Sequence, residues 1–162
     1  MKYKLLILML FLYVLTSCDK GLEPPPPVLK SYINGLITYI NGKDKWPPAD
    51  SVIDIRVVVF KSYPSNDILG EITKGNAYYS ESLPKFTDTT SYSLEIPDTP
   101  AIFKYIVVAQ QYASLLDWRV IGVWTLSGDN TKPSSIEIEP GKTYNELNIK
   151  VDFDNLPPQP FD

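Results

Sequence analysis

The side chains that carry out most protein chemistry are scarce in this sequence. The chain contains no histidine and a single cysteine, Cys18. Without histidine there is no Ser-His-Asp relay, no imidazole general base and no imidazole metal ligand, and one cysteine cannot form a disulfide within the chain. The chemistry that remains is a carboxylate pair acting on a glycosidic bond, a Ser-Lys dyad, or a calcium site built from oxygen atoms.

None of these three arrangements has a clear signature. Asp152 and Asp154 share one face of the last predicted strand, which is the pattern of a solvated strand face. Asp129 and Asn130 lack the spaced oxygen ligands of an EF-hand loop, so they predict an ordinary turn. We therefore predict that the protein is not an enzyme and that it holds neither a cofactor nor a metal.

Cys18 follows a segment that has the form of a secretory signal. Lys2 and Lys4 precede an unbroken apolar run at residues 5–15, which is shorter than the about 20 residues that a transmembrane helix needs. The four residues Leu15-Thr16-Ser17-Cys18 resemble the lipobox of bacterial lipoproteins. This resemblance implies that residues 1–17 are removed as a signal peptide and that the Cys18 sulfur takes a diacylglycerol, with fatty acids such as palmitate. Cleavage would free the amino group of Cys18, and acylation of this group would add a further acyl chain. Two or more acyl chains give durable anchoring.

The predicted location is the cell envelope, with the lipid on Cys18 in a membrane and the outer membrane preferred over the inner one. Asp19 resembles an inner-membrane retention signal of some bacteria and a surface-export signal of others. The sequence therefore does not decide whether the domain faces the periplasm or the cell surface. Removal of residues 1–17 leaves 13 basic and 19 acidic residues, a net charge of -6. This charge argues against nucleic acid or anionic lipid as a partner, and the predicted anchor is the lipid itself.

Proline-rich segments flank the rest of the chain. Residues 18–29 include four consecutive prolines at positions 24–27, which favour an extended polyproline II conformation. We predict that this segment is a tether that holds the domain away from the membrane; the alternative is a ligand for a proline-binding groove. Residues 155–162 form a second proline-rich segment, a C-terminal tail.

Residues 30–154 have the pattern of one all-β domain. Apolar and polar residues alternate, or apolar residues run continuously, in short segments separated by Gly, Asn, Asp and Pro turns, and no long helical period intervenes. This pattern predicts an antiparallel, immunoglobulin-like or transthyretin-like sandwich of two sheets and about seven strands. Within residues 64–84, positions 67–74 favour either a short helix or an irregular strand, and Tyr78 with Tyr79 favours an edge strand. The predicted strands are residues 32–40, 52–61, 91–96, 103–112, 119–126, 134–139 and 146–154.

The domain resembles the prealbumin-like or carboxypeptidase-regulatory-like β-sandwich family. The resemblance rests on the segment beginning Tyr32-Ile33-Asn34-Gly35 and on the close of the domain, where Ile136-Glu137-Ile138-Glu139-Pro140-Gly141-Lys142-Thr143 leads into Leu147-Asn148-Ile149. It implies a sandwich whose penultimate strand gives way to the final strand through a Pro-Gly turn. The hydroxyisourate-hydrolysing members use histidines and end in Tyr-Arg-Gly-Ser. This chain has neither feature, so that activity is excluded.

Aromatic side chains are abundant, at 12% of the chain. Trp46 precedes two prolines in a polar connection and is predicted to lie near the surface, whereas Trp124 lies within a strand and is predicted to be buried. The favoured function is a non-catalytic interaction module that contacts other envelope proteins. The alternative is a glycan-binding module, and a carboxylate-based glycosidase ranks third. The candidate ligand-binding aromatics are Trp46, Tyr78, Tyr79, Tyr112 and Trp118.

Overall fold

The structure is a computed structural model that describes residues 29–64 and 68–160. The predicted signal peptide, Cys18 and nearly all of the predicted tether lie outside the described residues, as do residues 65–67, Phe161 and Asp162. Besides two 3-10 helices, Gly42–Lys45 and Ala49–Ser51, the described part of the chain folds into ten strands and one short α-helix. In chain order these are β1 (Ser31–Tyr39), β2 (Asp54–Phe60), α1 (Ile68–Thr73), β3 (Ala77–Tyr79), β4 (Thr89–Ile96), β5 (Ala101–Phe103), β6 (Tyr105–Gln111), β7 (Trp118–Val123), β8 (Ile136–Ile138), β9 (Thr143–Tyr144) and β10 (Ile149–Val151).

The predicted all-β sandwich is confirmed. Each of the seven predicted strands overlaps an observed strand, namely β1, β2, β4, β6, β7, β8 and β10. The three additional strands, β3, β5 and β9, have three residues or fewer. β3 is the edge strand that Tyr78 and Tyr79 suggest, whereas β5 and β9 lie in segments without a longer alternation of apolar and polar residues and were not predicted.

The first sheet is built around β1. This strand pairs antiparallel with β4 on one side and parallel with β9 and β10 on the other, where Ile37 lies opposite Ile149. The sheet is thus mixed, whereas the sequence pattern favours a wholly antiparallel sandwich. The reason is topological: the chain crosses to the second sheet and returns to run beside β1 in the same direction, and parallel neighbours need such a long connection.

The second sheet is antiparallel throughout, in the order β3-β2-β6-β7. β6 is an inner strand, as its continuous apolar centre predicts. A register shift between Val108 and Ala109 marks a bulge in its pairing with β7. β5 and β8 form a separate two-stranded ribbon.

The main core lies between the two sheets. Ile33 and Ile37 from β1 pack in one cluster with Ile55 and Val57 from β2, and all four are fully buried. Ile53, which shares their alternation in the sequence, is 44% exposed, because β2 begins only at Asp54 and Ile53 precedes the sheet. Burial of the alternating aliphatic residues is the main stabilising contribution, at about 25 cal/mol per Å² of apolar surface removed from water.

Residues 64–84 contain both elements that the sequence suggests for them. The short helix α1 lies within residues 67–74, and β3 is the edge strand that contains Tyr78 and Tyr79. None of the helical segments in residues 29–64 and 68–160 combines the length and the apolar character needed to cross a bilayer.

Gly35 is the point at which β1 allows another segment to approach closely. A Cβ atom on Gly35 would clash with the carbonyl oxygen of Leu147 and would lie 2.9 Å from the Tyr92 ring. The Tyr92 hydroxyl donates a 2.7 Å hydrogen bond to that same carbonyl, and Leu147 N donates to the Asn34 carbonyl at 3.1 Å. The absence of a side chain at position 35 therefore lets residue 147 dock on the sheet.

Candidate functional site

The outer face of the second sheet is apolar, which is unusual in a two-layer sandwich. Outward residues of such a sandwich are normally polar because they face water. Here eight outward side chains form a second buried cluster, partly covered by Ile72 of α1 and by Trp118. The cluster consists of Val58, Phe60, Ala77, Tyr105, Val107, Ala109, Val120 and Val123.

This covering is incomplete and leaves an apolar groove of about 530 Å³. The strand register places Val58 opposite Val107 and Ala109 opposite Val120 across neighbouring strands, so these residues form the groove floor. The volume lies within the roughly 300 to 1,000 Å³ that is typical of ligand sites. The walls are Leu115, Leu116 and Trp118 on the β7 side, Ile72 and Tyr79 on the β3 side, and Pro160 from the C-terminal tail.

The connection between β6 and β7 is held so that two leucines face water. Leu115 is 80% exposed and Leu116 is 67% exposed. Ser114 N donates to the Asp117 carboxylate at 2.7 Å, and Trp118 Nε1 donates to the Leu115 carbonyl at 3.0 Å. Hydrogen bonds from Ser114 lower the pKa of Asp117. Exposed leucines at the rim of an apolar groove are typical of an interaction surface.

One end of the groove is polar, and its ion pair is already satisfied. Arg56 Nε donates to Asp54 Oδ2 at 2.6 Å, and Arg56 Nη1 donates to the Ser80 carbonyl at 3.1 Å. Asp54 Oδ1 accepts hydrogen bonds from Ser82 Oγ and from Ile55 N. The Arg56 guanidinium also lies 5.3 Å from the centre of the Tyr79 ring. Both carboxylate oxygens of Asp54 thus accept hydrogen bonds from neighbouring groups.

Arg119 is the second cation at the groove. Its Nε donates to Gln110 Oε1 at 3.0 Å, and its guanidinium lies 5.4 Å from the centre of the Tyr112 ring. Within residues 29–64 and 68–160, no carboxylate forms a salt bridge with Arg119. The groove therefore has one positive charge without an acidic partner in that part of the chain.

The C-terminal tail reaches the groove along the edge of β7. Val120 N donates to Gln159 Oε1 at 2.8 Å, and Gln159 Nε2 donates to the Val120 carbonyl at 3.0 Å and to the Pro157 carbonyl at 2.9 Å. The side-chain amide of Gln159 thus occupies the position that a neighbouring strand would take. This arrangement satisfies the backbone of an edge strand and places Pro160 in the groove wall.

The five aromatic residues nominated from the sequence do not form one platform. Tyr79 and Trp118 line the groove, and Tyr112, which is 40% exposed, contacts Arg119 at its end. Tyr78 lies on the opposite face of β3, because neighbouring strand residues point to opposite faces. Its ring meets the Phe103 ring edge-on in the main core.

Tyr78 is held by its own hydrogen bonds. The hydroxyl donates to Asp98 Oδ2 at 2.6 Å. Burial, with Asp98 as a second cause, raises the pKa of Tyr78 to about 12. The hydroxyl is therefore neutral over the physiological range and serves as a structural donor.

The prediction that Trp46 lies near the surface is wrong. Its exposed fraction is 9%, and its ring contacts those of Tyr39, Phe86 and Phe153. Trp46 Nε1 donates to the Thr87 carbonyl at 2.9 Å. The polar connection before Trp46 forms a short 3-10 turn, Gly42–Lys45, that folds the indole back into the core. Trp124 is 7% exposed, which confirms its predicted burial.

The acidic candidates occupy ordinary surface positions. Asp154 pairs with Lys45 at 2.9 Å. Asp129 accepts hydrogen bonds from Thr131 N and Oγ1, which form a local turn and, with Lys132, lower the pKa of Asp129. Across the part of the chain that the structure describes, no group of three or more acidic residues is placed to hold a metal ion.

Several groove residues were not recognised from the sequence. Val107, Ala109, Leu115, Leu116 and Gln159 were not nominated. One signal was present: β2 and β6 are apolar on both faces, which in a two-layer sandwich requires a cover for the outer face. No comparable signal marks Gln159, because its contact with Val120 depends on where the tail returns in three dimensions.

The sequence matches no family model, no curated protein and no solved structure. The resemblance to the prealbumin-like family therefore stays a prediction.

Proposed function

We propose that this chain is an envelope lipoprotein whose β-sandwich is a non-catalytic binding module. The lipid on Cys18 anchors it to a membrane, preferably the outer membrane, and the groove binds an extended apolar segment of another envelope protein. The observation that carries this proposal is the groove itself, an apolar concavity with two exposed leucines at its rim.

The edge of β7 supports an extended peptide as the ligand. The Val120 N–H donates to the side-chain amide of Gln159 and the Val120 C=O accepts from it, so this edge binds an amide group. A peptide that lies along this edge can make the same two hydrogen bonds while its alternate side chains enter the groove. This mode combines main-chain hydrogen bonds with side-chain pockets, as strand addition does in other peptide-binding proteins.

The chemistry of the groove supports binding rather than catalysis. Its floor is aliphatic, and its one carboxylate, Asp54, is engaged by Arg56, Ser82 and Ile55. The whole chain has no histidine. A site of this kind removes apolar surface from water and has no free group for proton transfer.

Photo-cross-linking from the groove tests this proposal. The photoreactive residue p-benzoylphenylalanine is placed at Leu115 or at Leu126 of the full chain in living cells. Leu126 is a matched control, since it is 79% exposed and does not line the groove. We expect a discrete protein adduct from position 115 and none from position 126. The peptide recovered from the adduct should be an extended apolar segment.

The groove variant Ala109→Leu makes this test specific. Added carbon atoms on the floor reduce the space for a ligand side chain, so the adduct from position 115 should fall severalfold. Equal adducts from positions 115 and 126, or an adduct that Ala109→Leu leaves unchanged, would contradict binding in the groove.

Glycan binding is the second candidate, and the position of Tyr79 favours it. Its ring is 48% exposed at the groove wall, with the polar Arg56 and Asp54 side chains beside it. A flat ring with neighbouring hydrogen-bonding groups is a common way to hold a sugar. The aliphatic floor argues for the peptide, because it would leave sugar hydroxyls without partners.

Isothermal titration distinguishes the two candidates. If a glycan is the ligand, one of the common polysaccharides should release heat on binding, and Tyr79→Ala should abolish that signal. If none of the polysaccharides gives a heat of binding, the result contradicts the glycan candidate and leaves the peptide as the favoured ligand.

A further inference from the structure

We propose that Phe161 occupies the groove, so that the C-terminal tail is the resident ligand of its own domain. This inference rests on the proposed function, since it takes the groove to be a binding surface, and it identifies the chemistry that the groove accepts: an aromatic side chain followed by an acidic residue.

The chain reaches the groove at Pro160. Gln159 is fixed to Val120 by two hydrogen bonds and to the Pro157 carbonyl by a third, and Pro160 lines the groove. The next Cα lies only about 3.8 Å further along the chain. The chain therefore leaves Pro160 at the groove wall, and a residue at position 161 needs no additional length of chain to enter.

The groove also suits a phenyl ring chemically. The groove floor consists of Val58, Val107, Ala109 and Val120, and the ring of Trp118 stands at its wall. A phenyl ring gains by leaving water for aliphatic surroundings, and an aromatic neighbour adds to the gain. A volume of about 530 Å³ is large enough for one phenyl ring.

The charges at the groove and in the tail are complementary. Arg119 lines the groove and has no acidic partner within residues 29–64 and 68–160, whereas Arg56 is neutralised by Asp54. Asp162 directly follows Phe161 and supplies the missing negative charge. An ion pair with Arg119 would form when Phe161 is in the groove.

A resident ligand regulates the groove by competition. A partner segment of the same chemistry must displace the tail, and its apparent affinity is reduced by the fraction of molecules in which the groove is open. A partner that presents an aromatic residue followed by an acidic one would form equivalent contacts with the floor and with Arg119.

Cross-linking from position 161 of the full chain tests this inference. With p-benzoylphenylalanine in place of Phe161, we expect a cross-link within one chain to groove peptides that contain Val107, Ala109 or Leu116. The same photoreactive residue at Leu126 is the control and should not reach these peptides. Gln159→Glu keeps the shape of the side chain but removes the N–H donor to Val120, so the cross-link yield from position 161 should fall about fivefold.

Three outcomes would overturn the inference. These are cross-links from position 161 that lie outside the groove, cross-links to a second copy of the chain, and a yield unaffected by Gln159→Glu. The result is separable from the proposed function: an adduct from position 115 with no groove cross-link from position 161 leaves the binding module intact and removes only the resident tail.

Discussion

Gly35→Ala is expected to destabilise the domain by about 4 kcal/mol, since overpacking and the loss of a buried hydrogen bond each cost a few kcal/mol. The new methyl group would meet the Leu147 carbonyl oxygen and the Tyr92 ring. Either residue 147 moves off the sheet or Tyr92 turns away, and both changes break the 2.7 Å hydrogen bond from the Tyr92 hydroxyl to Leu147. Urea unfolding followed by tryptophan fluorescence measures the loss, which corresponds to a fall in Tm of roughly 15 °C.

Gly128→Ala is the matched control for this prediction. Gly128 has a φ of +77° and nothing within 4 Å of an added Cβ, so its substitution tests backbone strain without a clash. We expect Gly128→Ala to lower the free energy of unfolding by about 1 kcal/mol. If Gly35→Ala costs no more than Gly128→Ala, the close approach of residue 147 to β1 is not what requires a glycine.

Cys18→Ser is expected to abolish lipid attachment completely. The serine hydroxyl cannot form the thioether that the lipobox resemblance implies, so the chain should accumulate as an unprocessed precursor that still carries residues 1–17. Metabolic labelling with a radioactive fatty acid measures this: the native chain takes up label and Cys18→Ser takes up none. The predicted anchor depends on this residue alone, because the net charge of -6 gives the mature chain no attraction for anionic lipid.

Ser17→Ala is the control for the anchor. Alanine keeps the small side chain beside the cleavage site, so labelling and processing should match those of the native chain. Normal labelling of Cys18→Ser would show that the lipid is not attached at Cys18. It would contradict both the lipobox resemblance and the membrane anchoring in the proposed function.

Most of the fold could be predicted because strand alternation is a local property of the sequence. Ile136 and Ile138, for example, alternate with Glu137 and Glu139, and β8 lies there. The parallel pairing of β1 with β10 could not be predicted, since nothing in either strand specifies its neighbour. The short strands β5 and β9 were not predicted because the apolar and polar residues around them do not alternate over a longer segment, as they do from Ile136 to Glu139.

The candidate site was predicted only in part, for a related reason. Tyr79 and Trp118 could be nominated because large aromatic rings at strand ends are visible in a sequence. Trp46 was misplaced because its polar neighbours lie in a turn that directs the indole inward, toward Tyr39 and Phe153. The two hydrogen bonds between Gln159 and Val120 join residues that are distant in sequence. Such contacts follow from the fold rather than from a local sequence pattern.

The parallel return of the chain beside β1 also constrains the order of folding. β1 is the first strand of the described chain, yet on one side it pairs with β9 and β10, the last two. Contacts so distant in sequence make folding slow, because the connecting chain must be ordered before the contact forms. On the proposed export route the N-terminal strand would emerge early and would keep one edge unpaired until Val151 had followed. A chaperone that shields the open edge of β1 during this interval would protect the protein at its most aggregation-prone stage.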